Sequence, residues 1–250
     1  MSEEPSMNEK WTEIELLPEW EEEFYDVYTA KKYGRWLMLK TLKPQLRGVP
    51  EYEAMLEREF DVRYNLAHAH IIMINDLEEV PGLGRCIITD DVYGDSLRKL
   101  IDNGKVTPEI VHKITHQLVE AIDYVQTNHI VHHPIRPERV IFTENVQNLK
   151  LIDVGFDQKN SLAPAEITDD VRAFGLVLTE ALDACPAADT ARLRAVADCC
   201  LSPFPYQSVQ SLQMALAGNS ARRFYVTIIA VLAVTVALLC AILLLNPQPN

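Results

Sequence analysis

Hydrophobic and polar positions change their period near the middle of the chain. From Trp11 to Ile88 apolar residues fall in short runs broken by polar ones, the pattern of half-buried strands, with one helical stretch between them. Residues 25–30 and 35–42 read as the arms of a hairpin around Lys31, Lys32, Tyr33 and Gly34, with Gly34 supplying the turn. Residues 50–67 read as a helix whose apolar positions are Met55, Leu56, Phe60, Val62 and Leu66, and 86–89 as a strand. Gly94 opens a loop before a short helix at 96–101. Beyond it the period lengthens. Ile110, Val111, Ile114, Leu118, Ala121, Ile122 and Val125 form one face behind Thr107 as N-cap and Pro108 at the first helical position. An apolar strand is predicted at 148–153, and further helices at 169–182, 190–200 and 208–217. Strands first and helices later imply a two-lobed α+β domain over residues 13–218, with lobes at about 13–89 and 90–218.

The flanks differ from this body. Residues 1–12 are an acidic leader with no apolar core, so they do not read as a signal peptide. Residues 224–245 carry no charge and as a helix would reach about 33 Å at ~1.5 Å per residue, enough for one bilayer crossing. Arg222 and Arg223 precede them within a basic 219–223 segment, and the 246–250 tail has no basic side chain. That asymmetry predicts a single-pass protein with its N-terminal domain in the cytoplasm. Ala230, Ala233, Ala237 and Ala241 lie on one face of such a helix, a small-residue row that predicts pairing of two copies through the span.

Charge excludes one class of partner. The 250-residue chain has a formal net charge of −13 and a pI near 5.0, whereas nucleic acid rewards basic patches. Its five cysteines show no metal or disulfide spacing and read as reduced thiols. His129, His132 and His133 cluster, and His112 and His116 stand one turn apart, but no H-E-x-x-H glutamate lies between the last two and no metal site is expected.

The candidate chemistry lies in a few short motifs. Lys40 ends the run LMLK, Glu59 sits in EREF, Thr89 precedes Asp90 and Asp91, and residues 132–140 read HHPIRPERV. Asp153-Val154-Gly155 follows, then Asp170-Val171 and Phe174-Gly175. In this order they resemble the eukaryotic-type protein kinase domain, over roughly residues 13–218. The resemblance implies a kinase-like fold with a reduced helical lobe. It implies Lys40 paired with Glu59 on the nucleotide phosphates, Thr89 as gatekeeper beside an Asp90–Asp91 hinge, and Asp153 as a magnesium ligand. His132 takes the structural histidine position of the catalytic loop, with backbone near Asp153 as its expected partner.

The departures from the pattern decide the functional expectation. Pro134 stands at the catalytic aspartate position and has no carboxylate to take a proton. Arg139 stands at the metal-binding asparagine position, a fixed cation expected to pair with Asp153 in the metal's place. The glycine-loop positions fall on Trp20, Glu22 and Tyr25, with no glycine before Gly34, and the Glu21–Glu23 run would repel phosphates. The stretch from Asp153 to Asp170 is short, with Ala163-Pro164 the nearest remnant of A-P-E. The expectation is therefore a membrane-anchored pseudokinase that serves as a binding or regulatory platform for protein partners. It needs no cofactor, and ATP would be at most a weak, magnesium-independent ligand. Alternatives are a divergent Ser/Thr-type kinase, a weak ATP sensor, and a structural subunit of a membrane complex.

Overall fold

The computed structural model describes residues 10–144, 148–152 and 154–218, together with Ile229, Leu232 and Thr235. The N-terminal lobe contains β1 (Trp11–Leu16), β2 (Tyr25–Lys32), β3 (Arg35–Leu42), α1 (Pro50–Tyr64), β4 (Ile74–Val80) and β5 (Gly84–Asp90). The strands form one antiparallel sheet in the order β1-β2-β3-β5-β4. Lys31 and Lys32 pair with Trp36 and Arg35, so the hairpin turn contracts to Tyr33 and Gly34, at φ 50° and 80°. Two positive φ values in a two-residue turn match the twist of the strands they join.

The domain starts earlier than its sequence suggests. Trp11 is buried with Leu37, Val80 and Leu83, and Glu78 takes the ammonium groups of Lys10 and Lys32. Trp11 and Thr12 thus belong to the sheet and not to a leader. Helix α1 stops at Tyr64, short of the predicted residue 67, and its fully packed face carries Leu56, Glu59 and Arg63. Two charged side chains therefore point inward from a position where apolar spacing predicted a row of hydrophobic residues.

The second lobe begins with β6 (Gly94–Ser96) and α2 (Leu97–Asp102), capped by Ser96 Oγ, which accepts from Lys99 N. Thr107 caps α3 (Pro108–Lys113) as predicted, its Oγ1 accepting from Ile110 N. The predicted continuous helix is interrupted by a π-turn at Ile114–Leu118 before α4 (Val119–Thr127). Then come β7 (Ile130–Val131), β8 (Val140–Thr143), β9 (Leu149–Leu151), β10 (Asp157–Gln158), α5 (Pro164–Ala184), α6 (Ala191–Leu201) and α7 (Val209–Ala217). Thr190 and Ser208 cap α6 and α7. Helix α5 starts at Pro164, five residues before the predicted 169, because proline suits a first helical turn and Glu166 accepts from Ala163 N at 2.7 Å. The A-P-E remnant is thereby absorbed into a helix.

One hydrophobic cluster fills this lobe, with Phe174 fully buried at its centre. Gly175 explains itself by packing: a Cβ there would stand 2.5 Å from Cys200 Cβ where α5 crosses α6. Gly175→Ala should cost about 1–3 kcal/mol through overpacking, read as a fall in the thermal midpoint. Burial pushes the Cys86 and Cys200 thiols up to about 12, and Cys86, Cys185, Cys199 and Cys200 are free. The lobes join at a parallel bridge between Ile71 and Leu151 and through the chain after Asp90.

Several sequence expectations fall outside the described residues: Asp153, Cys240, residues 1–9, and the alanine row Ala230, Ala233, Ala237 and Ala241. Of the predicted span, only Ile229, Leu232 and Thr235 are described, each helical and exposed. Among the described residues no helix is long and apolar enough to cross a membrane.

Candidate functional site

The seam between the lobes brings together side chains from five separate segments. Strand β3 supplies Lys40, α1 supplies Glu59 and Arg63, and the β1–β2 connection, residues 17–24, supplies Trp20 and Glu22. The 3-10 turn Pro137–Arg139 supplies Arg139 from below, and Thr89 on β5 closes the back beside Met38 and Ile87. Lys40 Nζ lies 2.9 Å from Glu59 Oε1, so the predicted pair is formed. Arg63, one turn along α1, donates to the same oxygen at 2.7 Å. Both ends of that pair are almost fully buried.

Lys40 has a second carboxylate within reach. Glu22 Oε2 approaches its Nζ to 2.8 Å, and Glu22 Oε1 lies 3.3 Å from Arg139 Nη1. The Tyr25 ring supports the same ammonium, which stands 4.3 Å from the ring centroid in a cation–π contact. Burial, followed by the Glu59 charge, raises the Tyr25 phenol well above its usual range, so it stays neutral. Two of the three residues at glycine-loop positions thus hold Lys40 directly. The third, Trp20, packs against the buried cluster of Ile72, Ile141 and Ile152, which Val92, just after the hinge, also covers.

Local bonding explains why the connection folds inward. Pro18–Trp20 forms a 3-10 turn closed by Trp20 N to Leu17 O, and Glu22 N donates to Tyr25 O. Lys43 clamps the turn from outside through Glu21 at 2.5 Å. A glycine loop would leave backbone N–H groups pointing at phosphate. Here the connection turns a tryptophan ring onto the Ile72–Ile141–Ile152 cluster and a carboxylate onto Lys40.

What remains is small. The cavity between Trp20, Lys40, Thr89 and Ile152 measures about 40 Å³, against roughly 300–1,000 Å³ for ligand pockets generally. Trp20 covers the apolar floor of this cavity, and the Glu22 carboxylate faces the Lys40 ammonium. A hollow of about 310 Å³ lies outside, between the Glu21–Glu23 run and Pro134, Arg136 and Arg139. Pro134 places no proton acceptor there.

The catalytic-loop histidine is fastened to the helical lobe. His132 Nε2 lies 3.0 Å from Asp170 Oδ1 on α5, and its Nδ1 is 2.8 Å from the His133 carbonyl. Gln126 donates to the other Asp170 oxygen at 2.7 Å. This carboxylate was not anticipated as the partner of His132; the expected backbone near Asp153, like the Arg139–Asp153 pair, involves a residue outside the described set. The His112 and His116 rings are 4.3 Å apart, and among the described residues no cluster of three metal-ligating side chains occurs. Sequence reasoning missed Arg63, and it placed Trp20, Glu22 and Tyr25 at the glycine-loop positions without their contacts to Lys40 and the apolar floor. Their signal was present, in bulky and acidic residues at positions that otherwise need glycine.

A five-stranded antiparallel sheet over a helical lobe, with a buried lysine–glutamate pair at the seam, defines a protein-kinase fold. The sequence model of the protein kinase domain matches residues 23–172, and the chain belongs to that family. It is 31% identical over 140 residues to a probable serine/threonine-protein kinase of Streptomyces coelicolor, covering 52% of this chain and 20% of that protein. Serine/threonine-protein kinase PknD of Mycobacterium tuberculosis is 26% identical over 239 residues, covering 81% of this chain and 35% of PknD. This chain therefore spans only a fifth to about a third of these relatives' lengths. Among solved structures, the Mycobacterium tuberculosis PknI kinase domain aligns with a TM-score of 0.64 at 21% identity, over 84% of this chain and 96% of that one, a likeness of fold.

Proposed function

We propose that this chain is a membrane-anchored pseudokinase, a binding or regulatory platform whose nucleotide cleft is filled by its own β1–β2 connection. The observation that carries the reading is the placement of Glu22 on Lys40 at 2.8 Å, with Trp20 in the apolar slot beside the hinge. The carboxylate takes the role that a phosphate would take, and the indole takes the place of a base. Pro134 and Arg139 remove the proton acceptor and the metal ligand independently of that plug. Residues 224–245 would hold the module at a membrane, with Arg222 and Arg223 on the cytoplasmic side.

Because the losses act together, restoring the loop alone does not restore chemistry. Pro134→Asp with Arg139→Asn is expected to leave radiolabelled phosphate transfer, to itself or to a generic substrate, at background. Transfer by the unsubstituted chain that disappears on Lys40→Met would contradict the reading. The assembled Lys40–Glu59 pair favours a second reading, in which Glu22 swings out and an anionic nucleotide binds weakly without magnesium. The cation at Arg139 would then substitute for the metal.

A further inference from the structure

Between Asp198 and Arg222 the sequence contains no Asp, Glu, Lys, Arg or His, although the chain is 24% charged and strongly acidic overall. That stretch forms the end of α6, the connecting loop and the whole of α7. Charge-free surface helices are unusual on a soluble domain, whose outward face is normally polar or charged. On α7, Val209, Leu212 and Leu216 are buried, while Met214 on the outer face is 69% exposed. Phe204 in the loop is 87% exposed, and Leu201 at the end of α6 is also exposed.

Phe204 is presented outward by a fixed loop. Pro203 and Pro205 flank it, Pro205 is buried, and Tyr206 packs on the main core cluster. Phe204 N donates to Ser202 Oγ at 3.2 Å, and Gln207 Nε2 donates to Pro205 O at 2.7 Å. Pro205 and Tyr206 turn in while the phenyl ring turns out. Asp198 and Asp123, which accepts from Gln210, mark the rim.

We infer that this α7 face docks on the surface of a lipid bilayer, with Phe204 and Met214 entering the headgroup boundary. The inference rests on reading residues 224–245 as a membrane anchor. Five residues, hence six Cα-to-Cα steps, separate Gly218 from Phe224, and a fully extended chain covers at most ~3.6 Å per step. The C-terminus of α7, pinned by Arg192 on the Leu216 carbonyl, therefore stands within about 20 Å of the anchor's start. An acidic body is repelled by anionic headgroups, while Arg222 and Arg223 are attracted. The charge-free face is the one that this tether can bring to the bilayer without that repulsion, and its exposed aromatic and thioether groups suit an interface.

The test uses the full chain reconstituted in phosphatidylcholine–phosphatidylglycerol vesicles, with and without dibrominated acyl chains. Phe204→Trp adds a reporter on the docking face. Tyr33→Trp adds one at the 74% exposed hairpin turn of the other lobe. Emission above that of the unsubstituted chain is compared for each. Phe204→Trp is expected to lose about two-fold in brominated vesicles, as for a ring ~5–10 Å into the boundary, and Tyr33→Trp to lose nothing. Equal quenching of the two reporters, or none, would overturn the docking. A subsequent alkaline carbonate wash addresses the anchor separately. Release of the chain would refute the span, while the quenching recorded before the wash still decides the docking face.

Discussion

Glu59→Ala is expected to destabilise the domain by about 3–5 kcal/mol, the usual cost of removing one partner of a buried ion pair. Glu59 is 2% exposed and receives both Lys40, at 2.9 Å, and Arg63, at 2.7 Å. Its removal leaves the Arg63 guanidinium inside the protein without this carboxylate, while Lys40 retains Glu22. For a domain of this size about 2–4 °C accompanies each kcal/mol, so the thermal midpoint should fall by about 10 °C. Glu22→Ala is the comparison, because Lys40 keeps Glu59 and the rest of the loop stays bonded to the sheet. Its cost should be about 1–3 kcal/mol, that of a lost charge-assisted hydrogen bond. Urea titrations with an unchanged slope would report these differences as stability. Equal losses for the two variants would mean that the α1 pair does not dominate the seam.

Trp20→Gly combined with Glu22→Gly is expected to turn a closed cleft into one that accepts nucleotide. The indole leaves the Ile72–Ile141–Ile152 floor, Lys40 loses its internal carboxylate, and glycine allows the backbone close to phosphate. At 100 times its dissociation constant ATP would stabilise the variant by about 2.7 kcal/mol, a rise of several degrees in the melting midpoint. The rise should persist in EDTA, because Arg139 carries a fixed charge at the metal-ligand position. No phosphate transfer should accompany it, since Pro134 still supplies no base. A shift that appears only with magnesium would overturn the role given to Arg139.

The helical lobe and the Lys40–Glu59 pair were legible in the sequence because each depends on local signals or on motif order. Thr107 and Pro108 set the start of α3 by capping chemistry, and the apolar spacing from Ile110 to Val125 survives the π-turn. Strand β4 was not legible. Ile74, Leu77 and Val80 stand three apart among acidic residues, a helix-like spacing, and only pairing with β5 across a bulge makes it an edge strand. The α5 boundary was misplaced because Pro164 looked like a motif remnant, when it is the first residue of the helix.

The site divided in the same way. The loss of glycines at Trp20, Glu22 and Tyr25 could be read along the chain, and the expected consequence was repulsion of phosphate. That the same residues fill the cleft and pair with Lys40 follows only from the fold, since Glu22 meets Arg139 across 117 positions of sequence. Arg63 was hidden for a similar reason. Spacing alone marks it as one turn from Glu59, and burial against the seam is what makes it a partner.

Isothermal calorimetry of the unsubstituted full chain with ATP, in magnesium and in EDTA, tests the filled cleft most directly. No saturable heat is expected in magnesium up to millimolar nucleotide, because Trp20 covers the apolar floor and Glu22 already pairs with Lys40. Stoichiometric, magnesium-dependent binding at micromolar affinity would contradict the filled cleft.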